Sequence, residues 1–375
     1  MSKKIFIITC DYSGDIHASF VVNEVRKNCP DAVIEGVGGD NLKSTGIKIL
    51  TSQDKMGAFG LSFKMITEHI VLGKMILDYL VNDYKPDLVL LIDYGGFNLK
   101  MAKFIKSKMP DTKIFYYIPP QIWASRKWRI NTVKKYIDKV LCIFPFEIEL
   151  YKTHGIDVTY CGHPLVRQLP PPANREEFFK KHGLDEGKKL VSIFPGSRPL
   201  ELKMLMDTFM KSARLLKKRH PQVQIVVSQA PNIKDKVFEE YRKKCEFTVI
   251  KGENHAMLSV SDALMLASGT VALEASLYKT PMIISYKGPY LLYLIYLLVR
   301  CLKRVSLPNI IMDREIIPEL IQWKSNPQTI AYNLEKLIYN ENYRTENIAQ
   351  LGEVQAKLSE KYSAAEAAKQ ICEAI

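Results

Sequence analysis

Short runs of β-branched and aromatic residues, each followed by a stretch of helical length, recur along this chain, and no other feature limits its fold as much. KKIFIITC, AVIEGVGG, DLVLLID, KIFYYIP, KVLCIFP and VTYCGHP follow one another, with an amphipathic stretch from Ile16 to Asn28 after the first. Strands separated by helices form parallel sheets, because a parallel crossover needs a dozen or more residues. The pattern stops once, at the proline-rich QLPPPANREEFF (Gln168 to Phe179). It then restarts with KKLVSIFP, QIVVSQ, FTVIKG, DALMLAS and PMIISY, with helices expected at Glu201 to Arg219 and Thr270 to Leu277. The fold class is therefore α/β, with two Rossmann-like, doubly wound parallel-sheet domains over 1–167 and 188–345 and a linker at 168–187. At 375 residues and 47% hydrophobic content the chain can bury two cores. From Asn326 onward the pattern is helical, and 346–375 is expected to form helices that pack back on the N-terminal domain. Ligands of such sheets bind beyond the carboxyl ends of the strands, so the site is expected in a cleft where two such edges face each other.

Lys and Arg outnumber Asp and Glu by 13. That surplus suits an anionic partner: a membrane surface, a phosphorylated substrate or nucleic acid. The sequence has no zinc-finger spacing, no aromatic RNA-binding segment and no basic tail, so no nucleic-acid partner is expected. Seven cysteines, odd in number and without a CxxC pair, read as reduced thiols of a cytoplasmic protein. The N-terminal segment shows no export signal. Pro289 to Val299 (PYLLYLIYLLV) falls short of the roughly 20 residues that span a bilayer. With Arg300, Lys303 and Arg304 behind it, it reads either as a membrane-interfacial segment or as a core helix.

Four strand-to-helix junctions carry candidate chemistry. Asp11, Ser13, Gly14 and Asp15 follow the first strand, where amides could face an anion or a sugar hydroxyl, or where Ser13 or Asp15 simply caps the helix. Asp93 ends the run Leu88 to Ile92; at the edge of apolar packing its pKa could suit a general base, or it could merely initiate the turn before Gly95-Gly96. Gly196, Ser197 and Arg198 supply backbone approach, a hydroxyl and a bidentate cation fit for a diphosphate, or a tight turn with a surface arginine. Ser268, Gly269 and Thr270 open a helix bearing Glu274, which could accept ribose hydroxyls or be a solvated helix residue. His163, at the end of the first domain, could touch substrate or serve as a hinge. No Asp-x-Asp pair exists, so no metal site is expected and the phosphate charge falls to Arg198 and amides.

Together these segments resemble the lipid-A-disaccharide synthases, a GT-B-fold glycosyltransferase family. The resemblance rests on Ser13 to Asp15, Gly38 to Leu42, Met56 to Leu61, Ile92 to Leu99 and Pro120 to Arg126. It continues through Phe144 to Glu147, Gly162 to Leu165, Pro195 to Leu202, Ser268 to Ala275 and Ser306 to Leu320. It implies that the 6-hydroxyl of a 2,3-diacylglucosamine 1-phosphate acceptor attacks C1 of a UDP-2,3-diacylglucosamine donor. The donor sugar is transferred with inversion and UDP is released. By the same resemblance Asp93 is the base, Arg198, Glu274 and Asn309 belong to the nucleotide-sugar site, and Asn98 and Gln121 join the acceptor side. No cofactor is implied. A homodimer and peripheral association with lipids of the inner membrane surface are. Cys10-Asp11 and Gly95-Gly96 depart from the family's usual Gly-Glu and Pro-containing pairs. Another GT-B-like enzyme, such as a UDP-N-acetylglucosamine 2-epimerase, would share the nucleotide site but not need the apolar run. A lipid-binding module without activity would leave Asp93, Arg198 and Glu274 unexplained.

Overall fold

A computed structural model describes residues 3–52, 63–267, 269–289, 293 and 304–375. The chain divides into two compact units, Met1–Pro164 with Leu358–Ile375, and Leu165–Lys357.

Among the described residues the first unit carries seven strands: β1 (Lys4–Ile8), β2 (Val33–Gly38), β3 (Lys48–Ser52), β4 (Leu88–Ile92), β5 (Lys113–Tyr117), β6 (Lys139–Cys142) and β7 (Val158–Tyr160). Their order is β3-β2-β1-β4-β5-β6-β7, every pairing parallel. The order reverses between β1 and β4, which pair with Ile8 beside Leu91. At that reversal the two following crossovers leave in opposite directions and open a crevice at the strands' carboxyl ends. β4 is buried at all five positions, as an uninterrupted apolar run in a sheet covered on both faces must be. The helix Tyr12–Asn28 begins earlier than its apolar periodicity suggests, because Asp11 caps it by accepting from the Gly14 N–H at 2.8 Å. The last helix, Ser363–Ala374, buries Ala364, Ala367, Ala368 and Ile371 and packs on Tyr12–Asn28; its small residues let the backbones approach.

The second unit carries β8 (Lys189–Phe194), β9 (Val223–Gln229), β10 (Thr248–Lys251), β11 (Ala263–Ala267), β12 (Met282–Tyr286) and β13 (Glu319–Ile321), again all parallel, in the order β10-β9-β8-β11-β12-β13. The helix Pro199–Arg219 lays Leu202, Leu205, Met206, Phe209, Ala213 and Leu216 on this sheet, a stripe at helical spacing. Pro199 suits its first turn, and Lys217, Lys218 and Arg219 oppose the negative end of its dipole. Residues 168–187, read as a linker, are not free chain. They contain the helix Arg175–His182, whose Phe178 and Phe179 are buried, and Arg175 bonds Asp262 at 2.8 Å within this unit. The two phenylalanines in REEFF supply the apolar face that a linker lacks.

Of the described helices none is long and apolar enough to cross a membrane. Most of Pro289 to Arg304, and the Met56 to Leu61 segment, lie outside the described residues.

Candidate active site

The turn after β4 is the most constrained backbone in the first unit. Asp93 and Tyr94 both adopt left-handed conformations, with φ of 47° and 46°, which non-glycine residues adopt only when their surroundings impose it. Three bonds do so. Asn98 donates its side-chain N–H groups to the carbonyls of Ile92 at 3.0 Å and Asp93 at 2.8 Å, and Tyr116 donates its hydroxyl to the Asp93 carbonyl at 2.7 Å. The Tyr94 N–H donates to Asp93 Oδ1 at 2.7 Å. With its backbone held at both ends, the carboxylate points where the turn directs it.

Burial, reinforced by the negative charge of Asp11 and opposed by the Tyr94 N–H, pushes the Asp93 carboxyl up to about 6. Asp11 follows β1 and Asp93 follows β4, adjacent strands, so the two carboxylates share the crevice at the sheet's reversal. Asp11 is itself raised, first by burial. Gly14 is required beside them, since a Cβ there would lie 2.6 Å from Asp11 Oδ1. Gly95 is required for a similar reason: its Cβ would meet Pro120 at 2.6 Å.

Pro120 belongs to the loop that carries Gln121, which is exposed. That loop is anchored by Trp123, whose Nε1–H donates to Glu147 Oε1 at 2.9 Å while the Phe144 N–H donates to Glu147 Oε2 at 3.1 Å. Glu147 is fully buried, which raises its carboxyl to about 7 against the lowering effect of those bonds.

In the second unit Ser197, Arg198, Gly269 and Thr270 are open to solvent, whereas Glu274 is largely and Asn309 fully buried. Gly196 has φ of 99° and packs against the Glu201 side chain, where a Cβ would lie 2.9 Å from the Glu201 Cβ. Ser197 is exposed, and its carbonyl accepts from Asn232 Nδ2 at 2.8 Å. The Arg198 side chain is 81% exposed, with Glu201 Oε1 3.2 Å from Nη1. Gly269 and Thr270 are likewise exposed, ahead of the helix Val271–Leu277, and Ser268 lies outside the described residues. Glu274 sits among buried Ala272, Leu273, Ala275 and Ser276 rather than on a solvated face. Burial raises its carboxyl, while His255, with Nδ1 3.8 Å from Glu274 Oε2, lowers it.

Four expected contacts take other roles. Asn309 is fully buried and its side-chain amide is spent within the chain. Nδ2 donates to the Ile317 carbonyl and to Glu319 at 2.9 Å each, and Oδ1 accepts from Ile316 N at 2.8 Å and Ile317 N at 3.1 Å. It clasps the helix Leu307–Met312 to the approach of β13, and these four bonds occupy the side-chain amide. Asp15 accepts from the N–H groups of Gly39, Asn41 and Leu42 and from Asn41 Nδ2, at 2.6 to 3.2 Å, so it holds the β2 turn and does not cap its own helix. Asn98 is buried beneath the Asp93 turn. His163 is buried against Phe144, ring centroids 5.1 Å apart, and burial pushes its pKa down to about 3, so it is neutral. Sequence reasoning passed over Tyr116, Glu147 and Glu319. Glu319 accepts from Val305 N, Ser306 N and Ser306 Oγ as well as Asn309, and its presence in the Ser306 to Leu320 segment was the available signal.

A family model described as lipid-A-disaccharide synthetase matches residues 5–375. Curated relatives bearing the name lipid-A-disaccharide synthase include one from Anaeromyxobacter dehalogenans, 32% identical over 96% of this chain and 94% of its own length. Others from Coxiella burnetii and Myxococcus xanthus are also 32% identical, each over 99% of this chain and 98% and 97% of their own. Among solved structures, a UDP-GlcNAc 2-epimerase from Neisseria meningitidis bound to UDP-GlcNAc is similar with a TM-score of 0.64 at 13% identity, covering 100% of this chain and 99% of its own. A UDP-glucosyltransferase from Polygonum tinctorium reaches 0.61 at 12% identity, covering 100% and 98%. An epimerase and a transferase share this two-domain α/β fold of GT-B type, so the fold does not choose between their chemistries.

Proposed function

The chain belongs to the lipid-A-disaccharide synthase family, a family of UDP-sugar glycosyltransferases, and from that premise we propose its substrates and the roles of its residues. The donor is UDP-2,3-diacylglucosamine and the acceptor 2,3-diacylglucosamine 1-phosphate. The acceptor 6-oxygen forms a bond to donor C1 from the face opposite UDP, the bond from C1 to the diphosphate oxygen breaks, and UDP leaves with its electron pair. The product is the β-1,6-linked disaccharide 1-phosphate, with inversion at C1.

Asp93 takes the proton of the attacking hydroxyl. The observation that carries this reading is the Asp93 turn itself: a half-buried carboxylate raised to about 6, on a backbone fixed by Asn98 and Tyr116, at the crevice where the strand order reverses. Such a base is ionised at neutral pH yet binds a proton more readily than an ordinary aspartate. The nearby charge of Asp11 supports the same direction. UDP is a stable anion and needs no proton to leave. Arg198, with the amides and hydroxyls of Gly196, Ser197, Gly269 and Thr270, is assigned to the diphosphate, and the largely buried Glu274 to the ribose hydroxyls; the exposure of Ser197, Arg198, Gly269 and Thr270 is what a site that meets a soluble headgroup requires. Ser268 keeps its place in that proposal by sequence alone.

The acyl chains of both substrates place the enzyme at the inner membrane surface as a peripheral protein. The second unit suits this, with 29 Lys and Arg against 20 Asp and Glu in residues 165–357, compared with 24 and 20 elsewhere. Incubation with both substrates and mass spectrometry of the products tests the reading. A disaccharide 1-phosphate and UDP are expected, and consumption of the donor without a disaccharide would overturn it.

A further inference from the structure

Arg129 is a partly buried cation that nothing among the described residues neutralises. It opens the helix Arg129–Tyr136, and its guanidinium lies 5.8 Å from the centroid of the exposed Trp128 ring. Its Nη1 comes within 3.2 Å of where a Cβ on Gly95 would stand, two residues beyond Asp93. Loss of hydration lowers its pKa, the like charge of Arg126 lowers it further, and only the Tyr116 phenol acts in the opposite sense. Neither arginine forms an ion pair with a carboxylate among the described residues. Asp93 does not serve as that partner, since its proton affinity is set by burial, Asp11 and Tyr94 alone.

Two adjacent guanidiniums, one partly buried and neither paired with a carboxylate among the described residues, repel each other and work against folding. Arrangements that cost stability without local compensation belong where a ligand completes them. A phosphomonoester dianion would neutralise both and accept their N–H groups in the bidentate geometry that guanidinium favours. The absence of a side chain at Gly95 keeps the approach to Arg129 Nη1 clear.

We propose that Arg126 and Arg129 form the subsite for the phosphomonoester of the acceptor sugar, on the same unit as Asp93, so that phosphate capture there presents the distal hydroxyl to the base. The proposal rests on the acceptor named above. It divides the phosphates by unit, the donor diphosphate going to Arg198 and the acceptor monophosphate to Arg126 and Arg129.

The test compares 2,3-diacylglucosamine 1-phosphate with the same lipid bearing a free 1-hydroxyl, in wild type, Arg126→Gln, Arg129→Gln, the double variant and Arg129→Lys. Wild type should prefer the phosphorylated acceptor by about tenfold or more in kcat/KM, as charge-assisted hydrogen bonds imply. In the double variant that preference should vanish, with the loss in acceptor KM, while donor KM and UDP affinity stay unchanged. Arg129→Lys should keep part of the preference. Removing an uncompensated cation should leave the melting temperature equal or higher; were Arg129→Gln to misfold, exposed Arg126→Gln and Arg129→Lys carry the same comparison. A double variant that keeps the wild-type preference would overturn the proposal. So would loss of co-sedimentation with phosphatidylglycerol vesicles while the preference persists, which would assign the pair to lipid headgroups. If wild type formed no disaccharide from either acceptor, the functional reading would fall, and this subsite with it; disaccharide formation with an unchanged preference removes the subsite alone.

Discussion

The turn after β4 and the loops after β8 and β11 all lie at the carboxyl ends of strands that flank a reversal of strand order, yet they are built in opposite ways. Around Asp93 the backbone is left-handed, clamped by three hydrogen bonds and half-buried before any substrate arrives. Around Arg198 and Thr270 the side chains stand in solvent, with one local ion pair to Glu201. A proton acceptor must be desolvated to hold its raised pKa and fixed to within a fraction of an ångström, so the protein supplies the order. A diphosphate brings two charges of its own and can organise the groups that meet it. The chain therefore invests stability at the base and leaves the anion-binding loops unburdened.

The largest effect that would break this contrast lies at Asp93. Asp93→Asn should lower kcat by about 10²- to 10⁴-fold, the usual contribution of a general base, with UDP affinity unchanged. Because its carboxyl is raised from 3.8 to about 6 in the folded protein, ionisation there opposes folding. The cost is absent below the ordinary value and complete above the raised one. The same variant should thus melt higher than wild type at neutral pH and equally at strongly acidic pH, as thermal scans would register. Near-normal turnover in Asp93→Asn would dissolve the contrast.

Arg198→Ala comes next. UDP titration should show affinity reduced by about tenfold or more, with the melting temperature unmoved because the side chain is exposed. Unchanged affinity would place the diphosphate elsewhere.

Asn309→Ala and Asn98→Ala sharpen the contrast from the other side. Each strands buried backbone groups, so each should cost roughly 1–3 kcal/mol of stability in denaturant melts. Folded Asn309→Ala should bind UDP as wild type does, while folded Asn98→Ala should lose turnover because the Asp93 turn relaxes. Weakened UDP binding in folded Asn309→Ala would restore it to the nucleotide site.

The smallest expected effect is none: activity should persist through exhaustive EDTA treatment, since the sequence has no Asp-x-Asp pair of the kind that holds a divalent ion on a nucleotide diphosphate. Loss on chelation with rescue by magnesium would contradict this.

Much of this was legible before any coordinates. Strand runs such as DLVLLID and DALMLAS carry their own periodicity, and a small-residue turn after a strand announces a ligand-facing loop in Gly196 to Arg198. What stayed hidden depends on partners outside the local motif. Asp15 and Asn309 look like ligand residues in their motifs, but Asp15 bonds amides 24 to 27 residues away, and Asn309 is held by Ile316, Ile317 and Glu319. A polar residue in a motif can bind a ligand or bind the backbone, and local pattern does not separate the two. The approach of Arg129 to Gly95, and the anchoring of Trp123 by Glu147, are likewise tertiary. The edge strands β3 and β13 were missed because β13 has three residues and β3, KILTS, has two strongly apolar ones, too few to mark a strand. The Ser13 to Asp15 turn was placed ahead of its helix because the cap, Asp11, stands two residues before Ser13 and four before Asp15, the two caps expected.

The pH dependence of kcat/KM for the acceptor, which reports the ionisation of the free enzyme, tests the claim of a preset base most directly. Wild type should show a rising limb with its midpoint near 6, and Asp11→Asn, which keeps a capping side chain but removes the like charge, should move that midpoint to lower pH. A phosphate on the acceptor also ionises near about 6, but its limb would not follow Asp11. A midpoint that stays in place in Asp11→Asn, or a rate flat between about pH 5 and 8, would contradict the assignment of Asp93 as the group that takes the proton.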